Sequence, residues 1–121
     1  MRVAVIGSRT LSIQNLHDYL PPDVTEIVSG GAQGLDSCAH IYAIKHQIPL
    51  REFFPQYEKY GSIAPLKRNI EIIMHADLVI AFWDGHSHGT MHVIRNCRRL
   101  KVPYRVYMPI SKIHKAQMID E

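Results

Sequence analysis

A chain of 121 residues is the size of one ordinary domain, and its 46% hydrophobic and 21% charged residues are typical of a globular protein. These proportions exclude a disordered or low-complexity chain, and the small formal net charge of +3 favours anionic ligands without requiring nucleic acid. The sequence lacks the roughly 18 consecutive apolar residues of a membrane span, and MRVAVIGSRT lacks the apolar core of a signal peptide, so we expect a cytoplasmic protein that contacts no membrane.

Five short segments rich in apolar, β-branched and aromatic residues predict β-strands. The fourth, within DLVIAFW, is polar only at its first residue, which is typical of a central strand covered on both faces. The five segments are residues 3–6, 26–29, 50–54, 78–83 and 104–108.

Four helices are predicted between these strands. The first covers about residues 12–19 and ends before Pro21 and Pro22, because the residue before a proline disfavours the helical conformation. Pro65 suits the first turn of the third helix. The apolar faces expected to point inward are Leu35, Cys38, Ala39 and Tyr42 on the second helix, Leu66, Ile70, Ile73 and Met74 on the third, and Met91, Ile94 and Cys97 on the fourth.

The strict alternation of strands and helices predicts an α/β fold in three layers, a Rossmann-like five-stranded parallel sheet with helices on both faces. This domain covers residues 1–108, and residues 109–121 form a C-terminal extension that packs on the domain or on a partner subunit. Tyr104, Val106 and Met108 alternate on the last strand, which should be a sheet edge, so we expect a homo-oligomer.

Glycine is concentrated where three predicted strands end and the next helix begins. Unpaired backbone N–H groups and the positive end of the helix dipole attract anions at such positions, and glycine lets a phosphate approach the chain closely. A single loop of this kind is explained equally well by a turn that needs positive φ. Three loops on one edge favour a ligand site. Their glycines are Gly7, then Gly30, Gly31 and Gly34, then Gly85 and Gly89.

Four motifs, in this order, resemble those of one superfamily. VIGSR, SGGAQGLDSCAH, KRN and DGHSHGT are similar to the motifs of SLOG-type Rossmann-like proteins, and YEKYGSIAPLKRN resembles the pattern of their small single-domain YspA-related group. SGGAQGLDSCAH also resembles the glycine-rich segment of the DNA-processing protein A family, which binds single-stranded DNA. The similarity spans about residues 3–103 and implies a pocket for a nucleotide-derived ligand at the carboxyl edge of the sheet.

The resemblance assigns three walls of this pocket by position. The residue types agree, because hydroxyl groups and the paired donors of an arginine suit a phosphate. Gly7, Ser8 and Arg9 form the first wall, Gly30, Gly31, Gln33 and Gly34 the second, and Ser87, Gly89 and Thr90 the phosphate loop.

Asp36 and Asn69 are two further candidates. Asp36 stands in the first turn of a predicted helix, where a carboxylate would repel a phosphate. It either accepts hydrogen bonds from ribose hydroxyls or braces the helix N-terminus, and both roles stay open. With Leu66 and Ile70 inward, helical geometry places Asn69 near the pocket and Arg68 almost opposite, towards solvent or a partner subunit.

Catalysis depends on one departure from the family pattern. In the related lonely-guy phosphoribohydrolases, which cleave the N-glycosidic bond of nucleoside monophosphates, the motif PGGxGTxxE ends in a glutamate that is taken as catalytic. GHSHGTMHV places Val93 there, so the residues favour a binding module over an enzyme. If the protein is an enzyme, Asp84 or Asp36 would have to supply the missing carboxylate.

The histidines His86, His88 and His92 lie close together, but no fourth carboxylate or thiolate stands beside them, so we predict no metal site and no required cofactor. The first hypothesis is the binding or sensing of a phosphate-bearing nucleotide derivative. A nucleotide N-glycosidase is the alternative. Single-stranded nucleic-acid binding is a second alternative, which is disfavoured because the basic residues of 95–99 lie along a predicted helix without interleaved stacking aromatics.

Overall fold

The structure, a computed structural model, describes residues 1–31, 34–109 and 116–119. Gln33, predicted as a pocket residue, lies outside these ranges, as does part of the predicted C-terminal extension.

One six-stranded sheet organises the described residues. The strands lie in the order β3-β2-β1-β4-β5-β6, and every neighbouring pair is parallel except β5 and β6. The predicted α/β class is confirmed, but the strand count of five is wrong. The strands are β1 (Arg2–Gly7), β2 (Glu26–Ser29), β3 (Leu50–Glu52), β4 (Leu78–Phe82), β5 (Tyr104–Pro109) and β6 (Ala116–Ile119).

The sixth strand comes from the segment predicted as an extension, and it pairs antiparallel with β5. Tyr19 bonds to the backbone of Ala116, the first residue of β6. The Tyr19 hydroxyl accepts a hydrogen bond from the Ala116 N–H at 3.0 Å and lies 3.4 Å from the Ala116 carbonyl oxygen. Strand β5 is therefore an interior strand and not the predicted edge. Self-association stays a prediction, but it loses the argument from an exposed edge at residues 104–108.

The described residues contain four α-helices, which differ from the sequence prediction in two places. Residues 12–19 contain only a turn of 3-10 helix at Leu16–Tyr19, preceded by Asn15 in the left-handed conformation with φ 55°. Ile13 and Leu16 are buried against one face of the sheet, so this segment packs in the core without forming an α-helix. The helices are α1 (Leu35–Lys45), α2 (Tyr57–Tyr60), which was not predicted, α3 (Ala64–His75) and α4 (His88–Leu100).

Two buried clusters lie on opposite faces of the sheet, because side chains alternate along each strand. Val3 and Val5 of β1 point to the face that α1 covers. Ala4 and Ile6 point to the face that α3 and α4 cover. All five residues of β4 are buried, as expected of a central strand between two helical layers. Among the described residues, no helix has the length and apolar character needed to cross a membrane.

The inward face of α3 differs from the predicted one. Leu66 and Met74 are 43% and 64% exposed, whereas Asn69, Ile72 and Ile73 are buried. Apolar residues occupy two adjoining faces of the helix, with Leu66 and Ile73 two turns apart on nearly the same side, so their period alone does not determine which face packs on the sheet. The buried face includes Asn69 because its polar atoms find hydrogen-bond partners there.

The tyrosine contact with β6 gives a test of the sixth strand. We expect Tyr19→Phe to lower the free energy of unfolding by about 1 kcal/mol, since it removes the hydroxyl that bonds the Ala116 backbone. Hydrogen exchange in the peptide containing β6 should become faster than in the wild type. Tyr57→Phe, at an exposed position, is the matched control. Unchanged exchange in β6 would show that the hydroxyl does not hold this strand.

Candidate functional site

A cleft of about 370 Å³ opens at the carboxyl ends of β1 and β4. The chain runs from β1 to β2 and β3 on one side, then crosses to β4 on the other, so the strand order reverses between β1 and β4. This is the position where ligands bind in open α/β sheets. Nine predicted site residues line the cleft, namely Gly7, Arg9, Gly30, Asp36, Asn69, Asp84, Ser87, Gly89 and Thr90.

Three predicted residues do not line the cleft. Ser8 is buried beneath it, and its hydroxyl accepts a hydrogen bond from the Asp84 N–H at 3.2 Å. Gly31 lies outside it and packs under Phe54. Gly34 has φ 72°, and a Cβ there would meet the Arg9 backbone, so it shapes the loop and not the cavity.

The N-terminus of α4 forms one wall of the cleft, and three hydroxyl groups meet there. Ser87 caps the helix, with its Oγ accepting from the Thr90 N–H at 3.4 Å. The Thr90 Oγ1 lies 3.3 Å from the Ser87 Oγ and 3.5 Å from the Ser8 Oγ. The first N–H groups of a helix have no acceptor within it, and they carry the positive end of the helix dipole. This wall is suited to an anionic group.

Asp84 braces the loop that leads into α4. Its Oδ1 accepts hydrogen bonds from the N–H groups of His86 and Ser87, both at 2.8 Å, and its Oδ2 accepts from the Thr10 hydroxyl at 3.0 Å. Burial alone would raise the pKa of Asp84, but these hydrogen bonds outweigh it, and the pKa is lowered from its ordinary value. Asp84 is therefore held as a carboxylate at neutral pH. Thr10, which also lines the cleft, was missed from sequence.

Arg68 lies in the cleft, contrary to its predicted position towards solvent or a partner subunit. Its Nη1 donates to the Gly30 carbonyl oxygen at 2.8 Å, and its Nε donates to the Asn69 Oδ1 at 3.0 Å. Burial lowers the pKa of Arg68, while Asp36 acts in the opposite direction. Sequence reasoning missed Arg68 because it assigned the wrong inward face to α3. The spacing of Asn69, Ile72 and Ile73, three and four residues apart, was the pattern that could have indicated the correct inward face.

Asn69 joins α3 to α4. It accepts from Arg68, and its Nδ2 lies 3.3 Å from the His92 Nδ1 and 3.5 Å from the Gly89 carbonyl oxygen. Because the amide nitrogen is a donor, His92 Nδ1 accepts. Burial, with a smaller contribution from Arg99, lowers the pKa of His92, which favours this neutral ring. Asn69 thus positions Arg68 in the cleft.

Gly30 and Gly31 are small for different reasons. A Cβ at Gly30 would lie 2.9 Å from Arg68 Nη1 and 3.0 Å from Asp36 Oδ2, so the absent side chain makes room for this arginine and this carboxylate. Gly31 has φ 69°, and a Cβ there would collide with the Phe54 ring. Of the two explanations for glycine in this loop, the need for positive φ therefore applies to Gly31.

Val93 lines the cleft, but the three histidines do not. His86 and His88 are exposed, and His92 is turned towards α3. Within residues 1–31, 34–109 and 116–119, no group of three His, Cys, Asp or Glu side chains is arranged to hold a metal ion. Val93, at the position of the family glutamate, is buried and lines the cleft.

The fold and the cleft define an α/β protein with a mostly parallel sheet and a candidate ligand site at its carboxyl edge. The chain is 32% identical over 115 residues to the Gene 61 protein of Mycobacterium phage D29, in an alignment that covers 84% of this chain and 92% of the phage protein. The chain belongs to the family of that protein. No family model and no solved structure matches it.

The glycines give a paired test. We expect Gly31→Ala to lower the free energy of unfolding by about 2 kcal/mol, because alanine disfavours positive φ and its methyl group meets Phe54. Gly89→Ala should keep or slightly raise stability, since it lies in α4 and its Cβ meets no atom within 4 Å. Thermal and urea unfolding of both variants measure the difference. Equal stabilities of the two variants would contradict the conclusion that the fold requires glycine at position 31.

The Asp84 pKa predicts a pH dependence. A carboxylate with a lowered folded-state pKa contributes stability above its unfolded pKa of about 4, and the contribution disappears as the pH falls through the folded value. We expect Asp84→Asn to melt below the wild type at pH 7, with a gap that shrinks towards pH 3. Melting curves across this range measure the gap. Asp23→Asn, at an exposed position, is the control, and a gap independent of pH would contradict the prediction.

Proposed function

We propose that the cleft binds or senses a phosphate-bearing, nucleotide-derived ligand. The observation that carries the proposal is the α4 N-terminus, which faces the cleft with Ser87 and Thr90 hydroxyls beside an open backbone at Gly89. Backbone N–H groups and hydroxyl groups at a helix N-terminus are the donors that phosphates take in proteins. The resemblance of four ordered motifs to SLOG-type Rossmann-like proteins supports the same ligand class.

The remaining residues suit the rest of such a ligand. The volume of about 370 Å³ falls in the range of about 300–1,000 Å³ that small-molecule sites occupy. Arg9 is exposed at the rim, where its guanidinium can pair with a phosphate oxygen. Asp36 and Arg68 meet at Gly30 and offer an acceptor and donors for a ribose or a base. We therefore place the phosphate at α4 and the nucleoside part towards Gly30.

Binding without hydrolysis is the form of the proposal that the side chains support. Val93 presents a hydrocarbon surface where the related hydrolases carry a glutamate. Both carboxylate oxygens of Asp84 already accept hydrogen bonds from the protein, which leaves this residue poorly suited to activate water.

The experiment begins with native mass spectrometry of the purified protein to identify retained small molecules. Titration calorimetry with AMP, ADP and ADP-ribose follows, with inorganic phosphate as competitor. We expect Arg9→Gln to weaken nucleotide binding by about tenfold or more, because a charge-assisted pair is lost at an exposed position where folding is unaffected. Arg105→Gln, on β5, is the matched control. If no nucleotide binds, or if both variants bind equally well, the proposal is wrong.

A further inference from the structure

Helix α3 exposes an apolar stripe beside the face that packs on the sheet. Ile63, directly before the helix, is 47% exposed, and Leu66 and Met74 are 43% and 64% exposed. Ile70 lies between them and is half-buried. Their spacing of three, four and four residues aligns them along about three helical turns. Four large apolar side chains in one line are more than the isolated exposed residues that a monomer surface usually carries.

The charges beside this stripe have opposite signs at neighbouring helical positions. Lys67 and Glu71 stand one turn apart on the same flank, and both are exposed. The Lys67 amino group lies 5.6 Å from the centre of the Tyr60 ring. In the part of the chain that the structure describes, neither charge forms an ion pair. When a surface has a positive charge on one side of its midpoint and a negative charge on the other, a two-fold rotation places the positive charge of each copy opposite the negative charge of the other.

We propose that a second copy of this chain docks on this stripe, with the two α3 helices antiparallel about a two-fold axis near Ile70. In that arrangement Leu66 of one copy faces Met74 of the other, and Ile70 faces its own counterpart. Lys67 of each copy lies opposite Glu71 of the other, which gives two equivalent ion pairs at the rim. The inference does not depend on the proposed ligand, although Leu66 also lines the cleft and therefore brings the interface next to it.

Helix α1 also exposes apolar side chains, but the charges beside them differ from those on α3. Ile41 and Ile44 on α1 are each 65% exposed, so they form a second apolar patch. Lys45, His40 and His46 lie on the same surface, and the acidic Glu52 beside them is already paired within the chain, 3.3 Å from the His40 ring. A two-fold pairing of that surface would bring lysines and histidines together, which does not favour a second copy. Charge complementarity therefore distinguishes the two helices.

The decisive experiment is sedimentation velocity over about 1–100 µM protein, because a short helix pair buries less than the roughly 800 Å² per copy typical of stable complexes. We expect a dimer with a dissociation constant in this range for the wild type. Met74→Glu should be a monomer throughout, because it places a charge in the apolar contact. Ile44→Glu, an equally exposed isoleucine on α1, should leave the dimer unchanged. Both changes are at exposed positions, and thermal melting checks that each variant is folded.

A charge exchange tests the arrangement itself. Lys67→Glu alone turns both ion pairs into contacts between glutamates, and Glu71→Lys alone turns them into contacts between lysines, so each should raise the dissociation constant by about tenfold or more. The double variant restores opposite charges across the interface and should recover the wild-type constant. A wild type that is monomeric at all concentrations would overturn the proposal. Loss of the dimer in Ile44→Glu but not in Met74→Glu, or failure of the double variant to recover it, would do the same.

Discussion

The parallel pairing of β1 with β4 is the constraint on which the rest of this structure depends. Two parallel strands cannot be joined by a tight turn, so the chain must leave the sheet and return through long connections that cover its faces. β4 is apolar at every position and requires such a cover on both sides. The same pairing places the ends of β1 and β4 side by side, and the cleft forms where their loops diverge.

Hydrogen bonds between polar side chains and the backbone, rather than apolar contacts, hold the walls of the cleft in place. The guanidinium of Arg68 and the carboxylate of Asp36 meet above Gly30, and Asn69 holds the arginine from the adjacent helix position. The half-buried guanidinium needs acceptors, which the Gly30 carbonyl and the Asn69 side chain supply. On the opposite wall, Asp84 holds the loop before α4 by accepting two backbone hydrogen bonds. The walls of the cleft are thus fixed by polar contacts within the protein.

Helix α3 connects this site to the surface where we propose a second copy. It supplies Arg68 and Asn69 to the cleft, and its exposed stripe carries Met74 and Leu66, of which Leu66 also lines the cleft. One rigid helix therefore contributes to both surfaces. Arg68 donates a hydrogen bond to the Gly30 carbonyl oxygen, so a contact that shifts α3 would strain or break this bond.

The sequence alone was sufficient for the α/β class, for five of the six strands and for most of the residues that line the cleft. An apolar run such as residues 78–82 is typical of a strand covered on both faces, and the glycines before the helices indicated the loops that line the cleft. It could not determine which face of α3 packs inward, because apolar residues line both faces and only contacts with β1 and α4 decide between them. Strand β6 is short and mixed in polarity, and it becomes a strand because β5 and Tyr19 offer its backbone hydrogen-bond partners. The role of Arg68 was likewise decided by tertiary structure, since its acceptor, the Gly30 carbonyl, is 38 residues away in sequence.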